Sequence, residues 1–141
     1  MNDETFLARF EACDFGPDEW THRDHIKLAY LELITHDFDT ALERVRHGIK
    51  RLNASHETPE TLTRGYHETI THAWLKLVHF TIEQYGRETS ADAFCDAHPE
   101  LSQSKILRFF YSRERIISED AKATIIEPDL APFPAATTTI T

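Results

Sequence analysis

A chain of 141 residues with 40% hydrophobic and 28% charged side chains has the balance of one globular domain, long enough to bury a core and too short for a second domain of ordinary size. Its formal net charge of -9 repels polyanions and argues against a nucleic-acid partner, and no segment has the length of an apolar membrane span. The start MNDETFLARFEACDF lacks the basic opening and apolar run of a signal peptide, so the expected compartment is the cytoplasm, and the two cysteines, Cys13 and Cys95, are too isolated for a disulfide framework or a thiolate zinc site.

The pattern along the chain is helical. Phe6, Leu7 and Phe10 predict a short first helix closed by the turn Gly16-Pro17-Asp18. In the segment EWTHRDHIKLAYLEL, Thr21 is an N-cap with Asp24 three residues on, a relative of the capping box, and the core stripe runs through Ile26, Ala29 and Leu33. A turn at His36-Asp37 leads to a third helix with Ala41, Leu42, Val45, Ile49 and Leu52 at the 3.6-residue period. The basic residues interleaved there, Arg44, Arg46, His47, Lys50 and Arg51, read as a solvated helix face in preference to an anion contact.

Residues 53–64 are polar, contain Pro59 and read as a loop. Gly65 then opens the longest periodic run, YHETITHAWLKLVHFTIEQY, in which His67, Thr71, Trp74, Val78 and Tyr85 share a side and Gly86 is the C-cap. Ser90 caps a short helix through Cys95, Ser102 or Ser104 another through Phe109-Phe110-Tyr111, and Ser118 begins a last turn or two. No run alternates with a period of two. The expected fold is therefore all-α, a single-domain bundle of about four main helices plus short helices over residues 1–128. Residues 129–141 form an extended or disordered tail, tacked down by Leu130 and Phe133, with a disordered threonine-rich end.

Nine histidines stand out in a chain of this size. His36, His47, His56 and His98 fall in turns, loops or polar faces and are read as ordinary exposed imidazoles. His22, His25 and His67 differ, because each falls near a helix start on or beside an inward stripe, where the positive end of the helix dipole disfavours imidazolium. Neutral imidazole can bind a metal, accept a proton or polarise a carbonyl.

Residues three apart on a helix lie within about 6 Å of each other, so His22 and His25 can converge on one ion, and His67 completes a three-histidine set with positions left open for water or substrate. Glu68 is the candidate general base, with Asp24 the other nearby carboxylate. The H-E-x-x-H motif is absent, since His67 and His72 are five apart and a helix turns roughly 500° over that distance. His72 and His79 are placed with Leu75 on a side face. Trp20, Tyr66, Thr71 and Trp74 flank the trio and are the candidate substrate-binding residues, although aromatics at helical spacing, Trp74 above all, are usually core.

The segments EWTHRDHIKLA, IKRLN, GYHETIT and SEDAKATIIEPDLAPFP resemble an uncharacterised family of small helical bacterial proteins with WTHxxH and GYHETxT segments. That resemblance implies a helical fold and attention to His22, His25, His67, Glu68 and Thr71; it implies no reaction.

The expectation is a metal-dependent enzyme that hydrolyses or oxidises a small-molecule substrate at a divalent zinc, iron, nickel or copper ion held by His22, His25 and His67, with Glu68 as base. Two alternatives stay open. One is a metal-free acid–base enzyme for isomerisation or elimination; the other is a non-enzymatic module that binds a small ligand or a partner, as a monomer or a homodimer.

Overall fold

The structure is a computed structural model in which residues 1–136 are described. Its α-helices are α1 (Asp3–Glu11), α2 (His22–Thr35), α3 (Phe38–Ser55), α4 (Glu68–Tyr85), α5 (Ala91–Ala97), α6 (Arg113–Ile116) and α7 (Glu119–Ala123). No strand forms among the described residues; the sole pairing is an isolated bridge from Thr61 to Arg64. The fold is all-α, and no described helix is long and apolar enough to cross a membrane.

Each of these helices starts on a side-chain cap, which satisfies a backbone N–H that the helix itself cannot. The acceptors are Asn2, Thr21, Asp37, His67, Ser90, Ser112 and Ser118. At α2 the reciprocal half of the box is also made: Thr21 accepts from the Asp24 N–H, and Asp24 Oδ2 accepts from the Thr21 N–H at 2.9 Å.

The middle of the molecule is α2, which packs against α3, α4 and α5. Every residue from Ile26 to Glu32 is buried, so this helix is enclosed on nearly all sides and not on one stripe. Two charges are buried with it and both are partnered, as burial demands. The Lys27 ammonium lies 3.3 Å from Asp92 and 4.4 Å from the centre of the Phe6 ring, while Glu32 accepts from Arg44 Nε at 2.6 Å.

Helix α3 buries Ala41, Leu42, Val45, Ile49 and Leu52 as its period requires. Gly48, on the same face, makes room for α1: a Cβ there would stand 2.3 Å from the Phe10 ring. Helix α4 buries Ala73, Trp74, Leu77, Val78 and Thr81, and Phe38 packs edge-on to both His72 and His79, which do share a side face.

Several elements differ from the sequence reading. Helix α1 ends before Gly16, because Cys13 takes a left-handed conformation and the Asp14 N–H returns to the Arg9 carbonyl. Tyr85 is 67% exposed, since the last turn of α4 runs beyond the core. The stretch after α5 forms two 3-10 turns, Pro99–Ser102 and Ser104–Phe109, without side-chain caps, and α6 follows unannounced by any periodicity.

His56 and His98 are not free surface imidazoles. His56 Nε2 meets the Phe15 carbonyl at 2.6 Å, and His98 is buried against Phe94. The basic face of α3 is likewise engaged, Arg44 with Glu32 and Arg46 with Glu68.

The tail from Pro128 is extended, as expected. Asp129 accepts from the Ser112 N–H and hydroxyl, the Leu130 N–H reaches the Phe110 carbonyl, and Phe133 packs 5.0 Å from Phe110. The disorder expected for the threonine-rich end concerns residues 137–141, which lie outside the described residues.

Candidate functional site

Between α2, α3, α4 and the 58–67 loop lies a cavity of about 340 Å³. His22, His25, His67, Tyr66, Thr71 and Trp74 all line it, together with apolar side chains that include Ala29, Val45, Ile49, Ile70 and Leu75. The sequence-predicted histidines therefore share one space. Trp20 does not reach that wall: it packs among Phe6, Phe10 and Phe15, behind His25.

The hydrogen-bond partners fix the state of each ring, because a carbonyl can only accept and an N–H can only donate. His67 Nδ1 caps α4 by accepting from the Ile70 N–H at 3.1 Å, and its Nε2–H donates to the Ile116 carbonyl at 2.8 Å. His25 is the opposite tautomer: Nδ1–H donates to the Thr21 carbonyl at 3.2 Å, and Nε2 accepts from the Trp20 indole at 3.1 Å. Protonating either ring would set N–H against N–H. Burial pushes His25 down to about 4, against the opposing pull of the Thr21 carbonyl, and burial lowers His67 as well, with Lys122 adding to it.

His22 is the exception. Its Nε2–H donates to the Leu101 carbonyl at 2.9 Å and its ring stands edge-on to Trp74, with centroids 4.6 Å apart. Its Nδ1 has no hydrogen-bond partner among the described residues and is not sealed off from solvent. Of the six ring nitrogens in the trio, this is the lone pair left over.

For the metal expectation the consequence is geometric. Three ligating imidazoles need three free lone pairs, and those of His25 and His67 are engaged by Trp20 and by the backbone of α4. Among the described residues no group of three His, Cys, Asp or Glu side chains is arranged to hold an ion.

Glu68 faces a different space. It lines an adjoining cavity of about 710 Å³ with Arg46, Lys50, Glu60, Glu119 and Lys122. Arg46 grips its carboxylate with Nε at 2.9 Å and a terminal nitrogen at 2.6 Å, and the Tyr66 hydroxyl donates to it at 2.5 Å. Burial pushes the Glu68 carboxyl up, but the bonds from Arg46 and Tyr66 outweigh it and leave the group lowered. A carboxylate this well satisfied is a poor base.

Compared with known proteins, the chain matches no protein family, no curated protein and no solved structure.

The two cavities adjoin along the 58–67 loop. Tyr66, Leu62 and Lys122 line both of them. Lys122, from α7, donates to the Arg64 carbonyl at 2.8 Å, the Tyr66 carbonyl at 2.6 Å and Glu60 at 3.0 Å. Gly65 permits this closure, with φ of +88° and the Glu60 carboxylate 2.2 Å from where a Cβ would stand. Sequence reading missed Lys122 and set Arg46 and Lys50 aside as part of a solvated helix face. A signal existed for the last two, since Arg46 and Lys50 are four apart and each directly follows an inward residue, Val45 or Ile49, so they form a row flanking the buried stripe.

Proposed function

We propose that the chain binds a small organic molecule in the histidine-lined cavity, with His22 Nδ1 as the proton acceptor of the site and His25 and His67 as fixed wall. The observation that carries this reading is the unshared lone pair of His22 in a cavity whose wall combines apolar side chains and two satisfied imidazoles with the polar Asn53, Thr58, Thr63, Arg64, Tyr66, Thr71 and Lys122. A ring whose Nε2–H is anchored on a backbone carbonyl presents a basic Nδ1, the arrangement used by general bases that take a proton from carbon or oxygen. The reaction class this supports is metal-free proton transfer, an isomerisation or an elimination.

The test is a ligand screen by two-dimensional NMR, with wild type beside His22→Ala. The expected result is a set of small molecules that move the Trp74 indole signal, bind more weakly to the variant, and include a compound that only the wild type deprotonates. Binding unchanged in His22→Ala would leave a plain binding module. The metal-dependent hydrolysis or oxidation considered from the sequence remains the second reading, favoured by three histidines around one space; it requires His25 and His67 each to release a ring nitrogen. Stoichiometric zinc, iron, nickel or copper in protein purified without a histidine tag would support it over the first.

A further inference from the structure

We infer that the ligand is an acid: the second cavity is the seat of its carboxylate, held by Lys50, while its apolar body occupies the histidine-lined cavity. This rests on the reading of that cavity as a small-molecule site. The larger cavity holds three cations, and two of them are already spent. Arg46 is paired with Glu68, and Lys122 with Glu60 and two carbonyls.

Lys50 is different: among the described residues no carboxylate lies within ion-pair distance of it, although its charge helps to lower both Glu60 and Glu68, and the centre of the Tyr66 ring lies 5.0 Å from its Nζ. Tyr66 lines both cavities, so this ammonium stands where they adjoin. The carboxylates lining the larger cavity are Glu60 and Glu68, both neutralised by their cations, and Glu119, exposed on the first turn of α7.

A ligand with one anionic end and an apolar body matches a mostly apolar cavity that adjoins this ammonium, with Arg64 on the histidine cavity's own wall as the competing cation. The body needs no more room than about 340 Å³, within the range of small-molecule sites, and the charge stays where water reaches it. An ammonium resting on an aromatic face can exchange part of that contact for a charge-assisted hydrogen bond without moving far. A neutral amide of the same shape can accept from the ammonium but lacks the ion-pair attraction, so it gains less from the exchange.

Matched pairs of aromatic and branched aliphatic carboxylic acids and their primary amides, titrated into the full chain and followed by the Trp74 indole signal, test this directly. Acids are expected to bind about tenfold more tightly than their amides, the share of one charge-assisted contact. Lys50→Met should remove that preference by weakening the acids far more than the amides, and Lys50→Arg should restore it. Lys50 is exposed, so these variants fold.

Acids and amides binding equally would overturn the inference and leave the cavity reading intact. So would an acid preference that survives Lys50→Met. If neither acids nor amides move the Trp74 signal, the cavity reading falls and this inference with it.

Discussion

At the scale of single residues, the histidines are sorted by what their second nitrogen does. Sequence position brought His22, His25 and His67 to notice, and all three do line one cavity. Their roles could not be read that way, because the partners that settle them, Trp20, Leu101 and Ile116, are a mixture of near and very distant residues. Burial of neutral rings has a consequence for stability. His25 is lowered from 6.5 to about 4, so at pH above 6.5 it is neutral folded or unfolded, and its full contribution is present. As pH falls from 6.5 towards 4 the unfolded chain takes up a proton that the folded chain refuses, and stability is lost, by roughly 1–3 kcal/mol for a ring that keeps a little exposure. His67 and His72 are lowered too and act in the same sense. Melting temperature should therefore drop between pH 6.5 and 4, and the drop should be shallower in His25→Gln, whose amide can still accept from Trp20. An equal slope in wild type and variant would mean that His25 is not held neutral.

Elements show the same division between local and distant causes. Thr21 and Asp24 set the start of α2, and Val45, Ile49 and Leu52 the inner face of α3, through neighbours one or two turns away, so these were legible. The buried charges of α2 were not, because Lys27 is balanced by Asp92 and Glu32 by Arg44, from other helices. Nor was the 58–67 loop, which reads as a polar linker and is in fact a wall held from outside by Lys122. The Lys122→Met variant loses all three of those bonds while keeping the side chain's apolar stem. Amide hydrogen exchange is expected to quicken over residues 60–66 while the middle of α4, buried on its inner face, keeps its protection. Unchanged exchange in the loop would show that it is held by something other than this lysine.

For the whole molecule, the all-α fold was foreseeable because a 3.6-residue period recurs in the three long helices and no strand pattern competes. The region after α5 was harder, since short 3-10 turns and α6 leave no periodic trace and are placed by packing on the rest. The tail belongs with them: Asp129 on Ser112, Leu130 on Phe110 and Phe133 on the Phe110 ring tie it back to the body. Truncation before Asp129 is thus expected to lower the melting temperature by several degrees, about 1–2 kcal/mol for the lost hydrogen bonds and ring contact, and truncation just after Phe133 to leave it nearly where it was; equal melting temperatures for the two would contradict a docked tail. The claim on which the functional account stands is that His22 alone among the three cavity histidines offers a free lone pair. Nitrogen-15 spectra of the histidine rings at neutral pH, recorded on the full chain before and after one equivalent of zinc, test it most directly. The account predicts His25 and His67 neutral, protonated on Nδ1 and on Nε2 respectively, with their signals unmoved by zinc while those of His22 are free to respond. Zinc-shifted signals from all three rings together would contradict it and return the site to a metal.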